Sequence, residues 1–442
     1  MLQILPREIV HILFKLLPIT DKRNFTRCNL ELYVKNKLII DYQHDFLSLV
    51  KKKYKYIPTN LLPIEKYTIE IIHDNYEHLF PTRYIYNNNR LCSLITPFMY
   101  YYCAINKNMK ILTRLLKFNK NGGIYISAGA AHKGHLDVLK WAQENGCTLS
   151  SYICTRAAEN GHLHVLKWAR ENGCKWSVNT CSSAALNGHL YVLKWARENG
   201  CEWNSQTCRH AALNGHLHVL IWARENGCDW NLQTCNGAAL GGHLNVLKWA
   251  RQNGCKWNSE TCSHAALRGD LKMLKWAREN GCKWTSKTCS YAAKNGHLNV
   301  LKWARENGCR WSVNTCGYAA ENGHLDVLKW AQTNGCDWDL FTCRNASLNG
   351  HLDVLKWARA NGCDWDNYVC NNAALYGHLE MLKWARENGC PWNSDTCSYA
   401  ALNGHLDVLK WAIVNGCNWD SRVRENAKYK DHQHILKWIA KL

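Results

Sequence analysis

Proline is scarce, with only 7 residues in a chain of 442. That excludes a proline-rich linker and a collagen-like segment. Long apolar runs are absent: none reaches the ~18–20 residues that a membrane-spanning helix needs. The first twenty residues are apolar, but Arg7, Glu8, His11 and Lys15 interrupt them. This argues against an ordinary secretory leader and sets the expectation of a chain kept in the cytoplasm or nucleus, away from membranes. Acidic residues are also short, 35 against 55 basic ones, for a net charge of +20. Residues 1–125 carry 19 Lys/Arg and 9 Asp/Glu, so half of the excess sits in the first quarter of the chain. Such a balance suits nucleic acid, an acidic protein or plain solubility. The motifs of hydrolases and nucleotide-binding enzymes (P-loop, G-x-S-x-G, H-E-x-x-H) are missing, and no distinguished nucleophile–base set stands out. The expected protein is therefore not an enzyme and needs no cofactor.

What is abundant is order. The chain repeats every 27 residues, and the Gly188 column recurs from Gly134 to Gly404 without insertion or deletion. A weaker copy precedes it with Lys107 in the glycine column, and another follows with Asp431 there. In the unit at 180–206, Thr180 or the residues just before it can cap a first helix. Cys181, Ala184 and Ala185 give that helix a small, close-packing face. Gly188 ends it, and Leu190, Val192, Leu193, Trp195 and Ala196 then recur at helical spacing. Gly200 stops the second helix, and Cys201 and Trp203 follow in a connector. Helices this short are marginal alone, so copies must stack to bury their apolar columns. The expected fold is all-α, a continuous α-solenoid of helix–turn–helix repeats spanning 100–442.

The stretch A-A-x-N-G-H-L-x-V-L-K-W-A-x-x-N-G-C-x-W-N resembles the ankyrin repeat. Ala184, Ala185, Gly188, His189, Leu190, Val192, Gly200 and Asn204 match its columns. The unit is six residues shorter than the family's, the gap falling between Trp203 and Cys208, where ankyrin repeats build a β-hairpin finger. Plain loops are expected there instead. The tryptophan- and cysteine-rich short unit is similar to the expanded ankyrin families of giant DNA viruses that infect amoebae, which would place the protein in a host cell. The resemblance implies a protein-binding scaffold.

Of the 24 cysteines, 21 lie in two repeat columns, alternating at spacings of 7 and 20 with no C-x-x-C pair. Structural zinc favours local pairs, so these read as reduced, metal-free, buried small hydrophobes. The histidine column after the glycine reads as structural, its rings bonding nearby backbone. All 22 tryptophans fall into two columns, which reads as packing rather than ligand caging.

Positions that vary on this fixed scaffold are candidates for recognition. One set is Ser183, His210, Gly237, His264, Tyr291, Tyr318, Asn345, Asn372 and Tyr399. A second follows the G-H-L leucine and includes His164, Tyr191, His218 and Asp407. Drift on a solvated face explains both equally well. In ankyrin proteins the first helix lines the concave face, which favours the first set. Residues 234–314 sum to +9 and residues 315–395 to −4. A bipolar array suits a protein partner of complementary charge, whereas nucleic acid wants an uninterrupted basic stripe.

Residues 5–28 read LPREIVHILFKLLPITDKRNFTRC. Leu5, Pro6, Glu8, Ile9, Leu13, Phe14, Leu17, Asp21 and Cys28 resemble the F-box pattern, over a module spanning 1–40. That resemblance implies docking of a Skp-type adaptor of a cullin–RING ubiquitin ligase through Leu5, Pro6, Ile9, Leu13, Phe14 and Leu17. The alternative is a helical cap on the first repeats. Residues 41–99 read as a helical linker or degenerate repeats. The functional expectation is a target-binding adaptor of that ligase. A repeat scaffold with no ligase link and a basic nucleic-acid-associated protein remain the alternatives.

Overall fold

The computed structural model describes residues 97–118, 120–312 and 314–442. The F-box-like residues and the stretch before residue 97 lie outside them. The described residues hold 26 α-helices and no strand, arranged as thirteen consecutive pairs. The two connector columns that replace the family's hairpin are plain loops, as the short period requires. No described helix is long and apolar enough to cross a membrane.

The repeats fall into two compact units, one ending at Lys175 and the other taking in Trp176–Leu442 and the short stretch Ala158–Gly161. In the first unit, α1 (Pro97–Ile105) and α2 (Met109–Phe118) form the atypical opening pair. Its core is larger-grained than that of later repeats: Tyr100, Leu112 and Leu115 are buried. The Tyr100 hydroxyl donates to the Leu115 carbonyl at 3.1 Å. Lys107 carries the turn, with φ of 53°, and its ammonium pairs with Asp137 at 2.9 Å.

In the second unit, each first helix packs against its own second helix and against the first helix of the next repeat. The pair Ser205–Leu213 and Leu217–Glu225 is representative. Its Cys208, Ala211, Ala212, Val219, Leu220 and Ala223 are fully buried. Small residues on the first helix let neighbouring backbones approach, and burying each Val or Leu contributes about 2 kcal/mol. Leu217 and Trp222 are only half-buried, so the core is narrower than the apolar stripe suggests.

Helix boundaries are set by side chains. The cap lies three residues before the threonine column. The Asn204 side-chain oxygen accepts the Gln206 N–H at 3.0 Å, and Asn231, Asp339 and Asp366 repeat this at 2.9–3.1 Å. Ser177 and Ser312 do the same at 3.3 Å, and there Thr180 and Thr315 accept the cap residue's own N–H in return. Thr261 and Thr396 instead donate to Asn236 and Asn371 of the preceding repeat at 2.8 and 2.6 Å, while the buried Oγ1 atoms of Thr207, Thr234 and Thr288 have no hydrogen-bond partner. Both helices of a repeat end in paired turn bonds around a glycine. His189 N–H reaches the Ala184 carbonyl at 3.0 Å, and Cys201 N–H reaches the Ala196 carbonyl at 2.9 Å. Gly188 and Gly200 supply the positive φ between them, 75° and 78°.

Candidate protein-recognition face

The columns separate into those that hold repeats together and those that face solvent. The histidine column is of the first kind. His216 Nε2 lies 3.1 Å from the Leu186 carbonyl oxygen, and His297 makes the same 3.1 Å contact with Leu267. Asn214 and Asn295 donate to those same two carbonyls, at 2.6 and 2.7 Å. The backbone that the ring bonds therefore belongs to the preceding repeat. Burial lowers the pKa of His216, His297 and His405, with the backbone hydrogen bond opposing it in each. These rings are held as neutral structural groups.

The tryptophans join repeats on the outside of the second helices. Trp203 meets Trp222 edge-on, with centroids 5.6 Å apart, and the Arg197 guanidinium stacks 4.2 Å over Trp203. The pattern recurs at Trp230–Trp249 and Arg224, and again at Trp365–Trp384 and Arg359. Most of these rings are half-buried rather than core. Between them lie shallow grooves, one of about 380 Å³ lined by Lys275, Arg278, Glu279, Trp303 and Asn307. Their rings are already covered by the chain's own cations.

The varying first-helix set is half-buried, apart from the buried Gly237: Ser183, His210, His264, Tyr291, Tyr318, Asn345, Asn372 and Tyr399 are all partly covered. Several of these also tie helices together. His210 and His264 each place Nδ1 3.3 Å from a carbonyl of the preceding repeat, Ser182 and Asn236. Asn345 donates to Gly317 and Asn372 to Arg344. In the second set, the Tyr191 hydroxyl donates to the Gly161 carbonyl at 2.8 Å while its ring stays exposed.

One helical turn before the first set lies a row that sequence reasoning passed over. Gln206, Gln233, Lys287, Asn314, Phe341 and Tyr368 occupy equivalent positions and are exposed. Members of the row touch across repeats: Lys287 pairs with Glu260 at 3.0 Å, and Arg422 with Asp395 at 2.5 Å. Phe341 and Tyr368 are 55% and 49% exposed on consecutive repeats, and Tyr125 and Tyr152 are exposed at the equivalent positions of the first unit. Arg344 lies against both, its guanidinium 4.4 Å from the Tyr368 ring centre and 5.0 Å from that of Phe341. Asp366 holds that guanidinium with both carboxylate oxygens, Nε donating at 2.9 Å. The same carboxylate caps the helix that carries Tyr368, which fixes the whole arrangement on rigid backbone. The sequence signal was present: Phe341 and Tyr368, like Tyr125 and Tyr152 in the first unit, are large rings in a column whose other members are charged or amide.

Among the described residues, no group of three or more His, Cys, Asp or Glu could hold a metal ion. The two cysteine columns, distant in sequence, meet in space. The chain reverses between the helices, so the first-helix cysteine reaches the connector cysteine of its own repeat, and Cys181 Sγ lies 3.2 Å from Cys201 Sγ. Among the described residues no disulfide is formed and every cysteine is buried.

No family model matches the chain, and no curated protein matches it. Among solved structures, the chain is similar to the human ASB11 ankyrin repeat domain at 19% identity and a TM-score of 0.31, over 36% of this chain and 84% of that one.

Proposed function

We propose that the repeat array is a non-enzymatic protein-binding scaffold, with its partner docking on the outward row of the first helices around Phe341, Arg344 and Tyr368. The observation that carries this reading is the division of labour among columns. Histidine, asparagine, cysteine and tryptophan columns are consumed by contacts between or within repeats, while this row leaves the rings of Phe341 and Tyr368 exposed against the half-buried, clamped guanidinium of Arg344. Aromatic and arginine side chains on a rigid frame are the usual anchors of a protein interface. The flanking charge, net −4 over residues 315–395 beside +9 over residues 234–314, favours a partner with complementary charged segments. A photocrosslinking residue placed at Tyr368 should trap the partner, and the same residue at Lys356 on a second helix should not. Equal trapping at both positions would defeat the assignment.

The finer reading makes the chain an adaptor. Its F-box-like pattern at Leu5, Pro6, Ile9, Leu13, Phe14 and Leu17 would dock a Skp-type adaptor of a cullin–RING ligase, in the cytoplasm or nucleus, of a host cell if the protein is viral. Apolar anchors at helical spacing support this by supplying the buried area for helix-in-groove binding. Co-precipitation with the adaptor tests it, using the full chain and a Phe14→Ala/Leu17→Ala variant. Recovery from the full chain and loss with the variant are expected; no recovery from either removes the ligase link and leaves the plain scaffold. Nucleic acid recovered in place of protein would instead favour the basic nucleic-acid-associated alternative.

A further inference from the structure

Nine consecutive repeats of the second unit each hold a buried dithiol, running from Cys181 with Cys201 to Cys397 with Cys417. In the second of these, the Cys208 sulfur lies 4.0 Å from the Cys228 carbonyl oxygen, and the Cys228 thiol donates onward to the Asn204 carbonyl at 3.4 Å. In the first of these the sulfurs are 3.2 Å apart, and the cysteines lie in the same fully buried layer of the repeats as the alanine, valine and leucine columns. Their burial is shallow on the connector side, because Gly200 and Glu202, flanking the buried Cys201, are both exposed. Drawing two touching sulfurs together expels two hydrogens and adds no volume to a close-packed interior. Inserting a cation between them would require the core to expand. We propose that each of these nine repeats carries an oxidisable dithiol that a low-molecular-weight disulfide converts to an intra-repeat disulfide, pinning the first helix to the connector behind the second.

The connector thiolate attacks the small disulfide and releases one small thiol, leaving a mixed disulfide on the connector sulfur. The first-helix thiol then gives up its proton, attacks that sulfur and expels the second small thiol. Two protein thiols are oxidised to one disulfide, and the reagent is reduced to two thiols. The connector cysteine is the suited attacker: in Cys228 and Cys255 the partner thiol's hydrogen bond lowers the pKa, aided by the arginine of the second helix and against the cost of burial. Access comes from local opening of the connector, and Cys336 and Cys417, each 3% exposed, should react ahead of the fully buried Cys228 and Cys255.

The test is to hold the full-length native protein in graded mixtures of reduced and oxidised glutathione, trap it with acid and alkylating reagent, and map linkages by mass spectrometry without reduction. The expected result is monomeric protein that loses thiols in twos, with linkages joining cysteines twenty residues apart. Linkages across seven residues, such as Cys201 to Cys208, would overturn the proposal. So would persistent single glutathione adducts, or thiols unchanged in strongly oxidising mixtures while the fold persists. As a second arm, Cys208→Ala should leave Cys228 as a stable glutathione adduct while other repeats still close. Ready linkage of Cys228 to Cys235 in that variant would show that the pairing is not built in.

Discussion

The ring of His216 is bound through Nε2 to the carbonyl oxygen of Leu186, 3.1 Å away. Leu186 is the last residue of its helix, so its carbonyl has no partner within that helix. The next repeat supplies one, in the imidazole and in the Asn214 amide above it. Each first helix is thus capped at its end by its successor. This is why a unit whose helices are marginal alone becomes stable in an array.

Burial of that ring makes stability depend on pH. Burial lowers the pKa of His216, and the rings of His218, His243 and His189 lower it further, against the backbone bond that raises it. The unfolded chain takes up a proton near pH 6.5, where the folded ring still resists it. The stabilising effect is therefore complete above that pH and is lost as the pH falls through it toward the lowered folded value. Since His189, His243, His297 and His405 shift the same way, thermal melts should fall steeply between about pH 7 and pH 5. A melting temperature flat across that window would refute the structural role.

Two glycines of one repeat should respond differently to alanine. Both have positive φ, but a Cβ at Gly188 would lie 2.6 Å from Nδ1 of His216, whereas one at Gly200 meets nothing within 4 Å. Gly200→Ala should cost about 1 kcal/mol from backbone strain alone. Gly188→Ala should cost a further ~2 kcal/mol, because it pushes the inter-repeat ring out of place. Urea unfolding of the two variants checks the order, and equal losses would contradict it.

The helix start offers a matched pair. Asn204→Ala removes the cap bond to Gln206 and should cost about 1 kcal/mol. Thr207→Val keeps the shape and discards a buried hydroxyl that has no partner. It should leave stability unchanged or raise it by up to ~1 kcal/mol, as judged by the same denaturant midpoints.

Excising residues 204–230 removes one whole period and restores every column to register. Contacts pass between neighbouring repeats, so helicity per residue should be unchanged by circular dichroism. Collapse of the helical signal would show that the array is not modular.

Much of this was legible from periodicity. The period alone assigns Lys107 and Asp431 to the glycine column. Among the described residues these are the non-glycine positions with positive φ, 53° and 56°. Helix order, turn glycines and the absence of hairpin fingers follow in the same way. The meeting of the cysteines was not legible, because spacings of seven and twenty say nothing of how the chain reverses between helices. Nor was the direction of the varying residues. His210 and Gln206 lie one turn apart on the same helix, and a partner's choice between them depends on how closely the next helix approaches. Phe341 and Tyr368 stand out in sequence as rings in a largely polar column, but their exposure depends on which way the helix turns them.

The account rests on the outward row being the recognition face, and quantitative affinity capture from cells tests it most directly. Wild type and a Phe341→Ala/Tyr368→Ala variant should show the same helicity and melting temperature, since both side chains are about half exposed. The predicted result is a specific protein partner enriched by wild type and reduced at least about tenfold by the variant, the loss expected when two central anchors are removed. Undiminished recovery by a folded double variant would contradict the account.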